Sequence, residues 1–475
     1  MHTRVPTSVA LLSLFLLLSL CAPAFGQETG DEPARSRSAK GVVDPEGLSN
    51  LRTVLGVLTG RTDGFDEREF TTSMKRRRSV QELESAFRRL VKETGGFKNL
   101  GIIDHAPGLI TTVVRAKKTG DRSRITVTYE EEKPFRIDGI LIHPDLPTYD
   151  SWTEFTRTLD GFDADASVSI AQLLDDGSTE TLFSYREDRA LNIGSHARLF
   201  VFDAMVSAIE SGDADWLTTL RVVDALKSPV PSATRDAEDG TVVPLSRLTR
   251  RMIVENDATA MDHLIDFLDR RTVERTAQRR VNERRRNSPF LSVRESLALR
   301  LVLSERARDR WADADESARR KTLEEIRGLE VAPGAYRAWS KPVALDHVGW
   351  FAGASVLNGL LADLYLTSRR ESFAMVASAL NELDPAPVDR TVWAYSRLLE
   401  SVEPGVVAST WILGHRDGRV FVMSAVFNNA ERAVSPPRVG MLLIAATETL
   451  ARAAPRFESD RFLREQPGDS TDAPE

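Results

Sequence analysis

Cysteine is almost absent from this sequence, because its 475 residues include only Cys21. No disulfide can form within one chain, so stability must come from the apolar core. Hydrophobic residues make up 41% of the chain and charged residues 28%, which is typical of soluble globular proteins. The formal net charge of −7 argues against nucleic acid as the main partner.

Several motifs that carry chemistry are also missing. The seven histidines are scattered singly, without the spacing of metal ligands. The sequence has no Gly-rich phosphate loop, no Gly-x-Ser-x-Gly elbow and no dinucleotide fingerprint. We therefore predict no metal and no cofactor. The basic run at 270–286, RRTVERTAQRRVNERRR, has no aromatic residue on which a base could stack. We interpret it as a solvated helix face and predict no nucleic-acid partner.

Long apolar runs are scarce. The run at 9–21 is shorter than the ~20 residues that a membrane span needs. Arg4 precedes it, and Ala24-Phe25-Gly26 offers a cleavage site with small residues before Gln27. We predict a signal peptide at 1–26 and an exported protein, periplasmic or secreted. An uncleaved anchor is the alternative. No other stretch reaches the length of a span, so none is predicted after signal removal.

Composition and periodicity divide the remaining chain. Polar stretches at 27–44 and 458–475 indicate a flexible leader and a disordered tail. Between them, residues 45–148 indicate a small α+β domain. Ser79 and Glu82 have the spacing of a capping box that opens an amphipathic helix. Three alternating runs follow it: LITTVVRAK, RITVTYEEE and FRIDGILIHP. We expect an antiparallel meander wrapped on a helix.

Residues 149–457 form the second predicted domain. One hairpin is expected around Asp176-Gly177 and another around Asp417-Gly418, with a helix-rich stretch between them. A long final helix begins near Pro436. Two hairpins on either side of a helical block predict a single sheet, built from both ends of the domain, with the block beside it.

Five segments carry a family resemblance: LNIGSHARLF, NDATAMDHLI, PFLSVRES, VGWFAGAS and EPGVVASTWIL. In order and spacing they resemble the class A β-lactamase-like, or penicillin-binding-like, serine hydrolases. More closely, the chain resembles the subgroup of the clavulanic-acid cluster. That subgroup joins such a domain to a cystatin-like or ketosteroid-isomerase-like N-terminal domain. The resemblance implies an α+β fold, with a cystatin/NTF2-like domain at 45–148 and a β-lactamase/transpeptidase-like domain at 149–457.

The first motif of that family is Ser-x-x-Lys at the start of a helix, where the lysine takes the proton of the serine. Ser195 matches the nucleophile, and Arg198 occupies the position of the base. Residues i and i+3 share one helix face, so the two side chains are expected to meet. A guanidinium has a pKa above ~12 and cannot serve as a base, although it can donate hydrogen bonds. The Ser195 amide could still form part of an oxyanion hole.

The second motif, Ser-Asp-Asn, relays a proton and holds the substrate amide. Its positions are taken by Asn256, Asp257 and Ala258. An amide cannot relay a proton as a hydroxyl does, and alanine offers no side-chain hydrogen bond. Only the aspartate is retained, and we expect it to be structural, as a helix cap.

The third motif, Lys-Thr/Gly-Gly, supplies the lysine that attracts the substrate carboxylate. The resemblance places it at Leu399, Glu400 and Ser401, so the cation is lost. Glu400 would repel an anionic substrate if it faced the pocket. Arg397 lies two residues away, on the same strand face. Glu295, in PFLSVRES, lies beyond the loop where the family carries its deacylating glutamate.

Three departures inside well-matched flanking segments suggest that the fold was kept while lactam chemistry was relaxed. The first hypothesis is a pseudoenzyme that binds a β-lactam, a peptidoglycan-like fragment or an unknown protein partner in the old cleft. The second is an active hydrolase that is acylated at Ser195 with a changed base. His196 is a poor candidate for that base, because adjacent helical residues point about 100° apart. The third is a structural envelope protein whose N-terminal domain docks a partner.

Overall fold

The computed structural model describes residues 44–77, 79–118, 120–145 and 148–453. The predicted signal peptide, the leader up to residue 43 and the predicted tail lie outside the described residues. The described chain divides into two compact units. The first runs to Thr148 and includes Pro437–Ala445, and the second comprises Tyr149–Pro436 and the chain from Ala446 onward.

The first unit is an antiparallel meander with helices on one face. Its elements are α1 (Pro45–Thr59), α2 (Thr72–Arg77), α3 (Val80–Thr94), β1 (Phe97–Ala106), β2 (Leu109–Ala116), β3 (Arg122–Tyr129) and β4 (Ile137–Pro144). The strands pair in the order β1-β2-β3-β4. Helix α1 packs on α3 and on the first three strands, and their apolar side chains form one core. The predicted meander is confirmed.

The predicted capping box opens α3. The Ser79 hydroxyl accepts the Glu82 amide at 3.3 Å, and the Glu82 carboxylate accepts the Ser79 amide at 3.0 Å. Each residue satisfies a backbone donor that a helix N-terminus leaves free. The helix ends at Gly95, whose φ of 73° lies in the left-handed region that glycine adopts without strain. Strand β1 was not predicted, because bulges near Gly101 interrupt its alternation and most of its residues are exposed.

The second unit combines an antiparallel sheet with a block of helices. Its strands are β5 (Asp165–Leu173), β6 (Thr179–Tyr185), β7 (Leu191–Asn192), β8 (Thr219–Arg221), β9 (Val242–Pro244), β10 (Phe351–Ala352), β11 (Trp393–Glu403), β12 (Val406–His415) and β13 (Val420–Asn428). The large sheet has the order β11-β12-β13-β5-β6. Because β13 pairs with β5, the prediction of one sheet built from both ends is confirmed.

Eleven described α-helices complete this unit. They are α4 (Trp152–Asp160), α5 (Arg198–Ser211), α6 (Leu245–Val254), α7 (Ala258–Phe267), α8 (Arg270–Arg280), α9 (Val293–Leu301), α10 (Glu305–Asp313), α11 (Glu316–Ile326), α12 (Pro333–Ala338), α13 (Ala354–Ser368) and α14 (Ala374–Asn381). The last helix, α15 (Pro436–Ala453), is divided between the two units. Helix α5 contacts α6, α7, α8 and α13, and all of its first nine residues are buried. It is therefore the central helix of the block.

The interpretation of the basic run at 270–286 as a solvated helix face is confirmed for one side of the run, where Arg271, Arg275, Arg279, Arg284 and Arg285 are exposed. The other arginines of the run are partly buried and have partners within the protein. Arg270 pairs with Glu295 at 2.6 Å, and Arg280 pairs with Asp203 at 3.1 Å. Arg286 lies over the Phe351 ring with its guanidinium carbon 3.7 Å from the ring centroid. These arginines tie α8 and the following turn to neighbouring elements. Among the described helices, none is both long enough and apolar enough to cross a membrane.

Candidate functional site

Ser195 lies in a short 3-10 turn, Gly194–Ala197, between β7 and α5. Asn192 fixes the strand before this turn. Its amide nitrogen donates to the carbonyls of Leu345 and Val348, both at 2.9 Å, and its amide oxygen accepts the Gly194 N–H at 3.0 Å. The Ser195 side chain is half-buried. The hydrogen bonds of Asn192 thus hold the turn in place, and the turn carries the hydroxyl of Ser195.

Gly194 is required at this turn. Its φ is 53°, and a Cβ at this position would lie 2.6 Å from the Ser401 hydroxyl oxygen and 3.0 Å from a Glu403 carboxylate oxygen. The turn and strand β11 therefore approach each other as closely as a backbone without a side chain allows. This close approach brings Ser401 to Ser195.

The structure brings Ser195, Arg198 and Asn256 together. Arg198 Nη1 donates to Ser195 Oγ at 3.1 Å and also to Asn256 Oδ1. Arg198 Nη2 donates to the Glu400 carbonyl at 3.1 Å. The first residues of the first two motifs therefore meet at one guanidinium, and the third motif contributes a backbone carbonyl.

Ser401 accepts hydrogen bonds from both the backbone amide and the hydroxyl of Ser195. The Ser195 backbone N–H donates to Ser401 Oγ at 2.9 Å, and the Ser195 hydroxyl donates to the same atom at 3.1 Å. Ser401 is 1% exposed, so this contact is internal. The amide that the sequence analysis reserved for an oxyanion hole is already satisfied by a side chain of the protein. Sequence reasoning placed Ser401 in the third motif but gave it no role.

The Arg198 guanidinium is buried, and no carboxylate is among its hydrogen-bond acceptors. The residue is 4% exposed, and its three acceptors are a hydroxyl, an amide and a carbonyl. Burial lowers the pKa of Arg198 to about 9. The group therefore still carries its proton at neutral pH and cannot take one from Ser195. Its Nε–H has no hydrogen-bond partner among the described residues.

His196 does not offer a replacement base. Its side chain is fully buried, and no hydrogen bond joins it to Ser195. Burial, and then the charge of Arg198, hold the pKa of His196 well below its ordinary value. The ring is therefore neutral at physiological pH.

Asp257 has a structural position. It is 1% exposed and caps α7 by accepting the Ala260 amide at 2.9 Å. It also accepts the Ser232 hydroxyl at 2.7 Å and the Thr234 amide at 2.9 Å. All three bonds hold the loop and the helix, and none reaches Ser195. Ala258 is the first residue of α7.

The third motif supplies no cation. Leu399 is 2% exposed and belongs to the apolar core. Strand alternation places Glu400 on the opposite face from Ser401, so the expected repulsion of an anion does not arise at Ser195. Arg397 donates to the Asn381 carbonyl at 2.9 Å and lies over the Tyr395 ring, and so it does not replace the lysine.

A buried ion pair beside the turn was missed by sequence reasoning. Arg300 Nη1 lies 2.8 Å from Glu403 Oε2, and Arg300 Nη2 donates to the Val348 carbonyl at 2.7 Å. The side chains are 2% and 18% exposed, respectively. The two residues come from α9 and β11, and no local pattern links them. The pair supports β11 where it contacts Gly194.

Glu295 belongs to a different region. It completes a capping box at the start of α9 and forms two hydrogen bonds with Arg270, at 2.6 and 2.8 Å. It lines a cavity of about 660 Å³ in the helical block, which none of the Ser195 contacts line. Buried Asp262, which also lines it, accepts the Val293 and Arg294 amides. Burial raises the pKa of Asp262 to about 8. No described group of His, Cys, Asp and Glu side chains is arranged to hold a metal ion.

Part of the second unit is similar to a known enzyme family. Residues 151–316 match the model of the β-lactamase enzyme family. The second unit is β-lactamase-like. The matched segment includes Ser195, Arg198 and the positions of the second motif, whereas β11 and Ser401 lie beyond it. No curated protein matches the chain. The subgroup expected from the N-terminal domain stays a prediction.

Solved structures of β-lactamases and of PBP-A are similar to part of this chain. A β-lactamase from Sphaerobacter thermophilus DSM 20745 has 15% identity and a TM-score of 0.43, and the match covers 64% of this chain and 98% of that one. PBP-A has 12% identity and a TM-score of 0.41, with 65% and 98% covered. A β-lactamase from Chitinophaga pinensis DSM 2588 has 13% identity and a TM-score of 0.41, with 64% and 98% covered.

Proposed function

We propose that this is an exported β-lactamase-like protein that binds a β-lactam or a peptidoglycan-like fragment in the cleft at Ser195 and hydrolyses it weakly or not at all. The family match supports a serine-hydrolase ancestry and a ligand of this class. The contacts of Ser195 argue against turnover. Export rests on the N-terminal sequence, and it predicts a mature chain that begins at Gln27.

The observation that carries the proposal is the contact between the Ser195 amide and Ser401 Oγ, at 2.9 Å. Acyl transfer needs preorganised donors at the position where negative charge develops on the substrate oxygen. A hydroxyl oxygen already accepts this amide, so a substrate oxygen would have to displace a buried side chain. Removal of one such donor typically costs about 10²–10³ in rate.

The second obstacle is the missing base. Arg198 donates to Ser195 Oγ, so the serine accepts a hydrogen bond where an active nucleophile must give up a proton. The Ser195 hydroxyl proton is directed at Ser401 Oγ instead. Neither neighbour is a base of useful strength. The two defects act on the same step, so their effects on the rate need not add.

Turnover of a chromogenic cephalosporin and of an aryl ester tests the proposal, with intact mass under denaturing conditions measured in parallel. The proteins are the wild type, Ser195→Ala and Arg198→Lys. We expect slow turnover at most for the wild type, with little or no adduct. Rapid turnover, or full conversion to an adduct, in the wild type that is lost in Ser195→Ala would instead establish an active hydrolase with a changed mechanism. A protein that neither binds nor turns over lactams would favour the structural envelope role.

A further inference from the structure

The positive charge of Arg198 is not neutralised within the protein. The acceptors of Arg198 are all uncharged, and burial is the only influence that shifts its pKa. Buried charges in folded proteins are normally paired, because an isolated ion loses its hydration without compensation. A buried guanidinium held by uncharged groups alone is a site where an anion would bind favourably.

The acidic side chains around the turn are committed elsewhere. Glu403 is paired with Arg300 at 2.8 Å. The carboxylate of Asp257 accepts two backbone amides and one hydroxyl. Glu400 projects from the other face of β11. None of these three groups forms an ion pair with Arg198.

One acceptor of Arg198, Asn256, lies at the protein surface. Asn256 is exposed, and its amide oxygen accepts from Arg198 Nη1. Its φ of 52° is in the left-handed region, which asparagine, aspartate and glycine adopt more readily than other residues. An external carboxylate oxygen can replace the amide oxygen of Asn256 at the guanidinium. The exchange substitutes a charge-assisted hydrogen bond for a neutral acceptor.

We infer that the cleft recognises the carboxylate of an organic anion through Arg198, and that Asn256 yields its place when the ligand binds. This inference rests on the proposed function and names the charge that selects the ligand. The third motif has lost its cation at Leu399, so the attracting charge now lies on α5, beside Ser195. The ligand carboxylate therefore binds over the start of α5 and not along β11.

Asn256→Asp is the decisive variant. It changes one amide to a carboxylate of nearly the same shape, tolerates the same backbone conformation, and provides Arg198 with an internal counter-ion. Binding is measured by calorimetry in the Ser195→Ala background, which removes acylation, with benzylpenicillin and its methyl ester as probes. We expect the acid to bind at least tenfold more tightly than the ester to Ser195→Ala. We expect Asn256→Asp and Arg198→Gln to remove that difference and Asn256→Gly to increase it.

Circular dichroism and thermal melting establish that each variant is folded. Asn256→Asp is expected to raise the melting temperature, since it completes an ion pair. Equal binding of acid and ester to all variants would overturn the inference and leave the proposed function intact. Binding of neither compound to any variant would overturn both. Turnover by the wild type, together with a preference for the acid that depends on Arg198, would overturn the proposed function and support the inference.

Discussion

Replacing Ser401 by glycine should free the amide of Ser195. In the structure this amide donates to Ser401 Oγ at 2.9 Å, and the hydroxyl of Ser195 donates to the same oxygen at 3.1 Å. Ser401→Gly removes that acceptor and leaves space where a substrate oxygen can bind. One oxyanion donor contributes about 10²–10³ in rate, or about 2.7–4 kcal/mol. The variant should also lose about 1–3 kcal/mol of stability, from two hydrogen bonds and the flexibility of glycine in a strand.

The assay compares acylation rates in a background that has a base. Arg198→Lys restores the residue type of the family motif, and the double variant adds Ser401→Gly. Intact mass after mixing with benzylpenicillin gives the rate for each protein. We expect the double variant to acylate about 10²–10³ times faster than Arg198→Lys alone. Adding Ser401→Ala to Arg198→Lys instead removes the same hydroxyl but keeps a Cβ, so it should also acylate faster than Arg198→Lys alone. Equal rates in Arg198→Lys and the two double variants would refute the idea that Ser401 blocks the amide.

Three further predictions concern the stability of the second unit. Because burial raises the pKa of Asp262 from 3.8 to about 8, the folded state binds more protons than the unfolded state between these pH values, and the free energy of unfolding falls as the pH rises. Asp262→Asn should reduce the fall in the free energy of unfolding by up to about 1.4 kcal/mol per pH unit, as measured by urea unfolding from pH 4 to 8. An unchanged pH dependence would show that Asp262 is ionised throughout this range. Asp257→Ala should cost about 2 kcal/mol in the same assay, because three donors lose their acceptor; a loss below 0.5 kcal/mol, on the order of an ordinary surface change, would argue against the cap. Arg300→Met should cost about 3 kcal/mol by leaving Glu403 unpaired, and adding Glu403→Leu should recover part of it. A loss in the double variant equal to the sum of the losses in Arg300→Met and Glu403→Leu would show that the pair is not coupled.

The sequence was sufficient where the relevant groups are close along the chain. The capping box of α3 depends on Ser79 and Glu82, three residues apart, and was predicted in full. The meeting of Ser195 and Arg198 follows from the spacing of one helical turn. The sheet assembled from both ends of the domain followed from two hairpins with clear turn residues.

The remaining features depend on contacts between distant parts of the chain. The hydrogen bond between Ser195 and Ser401 exists because Gly194 lets β11 approach the turn closely. Serine and glycine are common residues in turns and strands, so their presence in the sequence does not predict this contact. The ion pair between Arg300 and Glu403 joins residues on different elements. The basic run has an exposed side, as its composition predicted, but the ion pair of Arg280 with Asp203 was not predicted, because Asp203 lies elsewhere in the sequence.

The central claim is that the cleft binds a lactam and that Ser195 is not acylated by it at an appreciable rate. Mass spectrometry of one sample, wild type with benzylpenicillin, tests both parts when spectra are recorded under native and then denaturing conditions. The account predicts a mass increase of one ligand under native conditions and the unmodified mass after denaturation, with the native complex lost in Asn256→Asp. A mass increase that survives denaturation and disappears in Ser195→Ala would contradict it, because Ser195 would then be a working nucleophile.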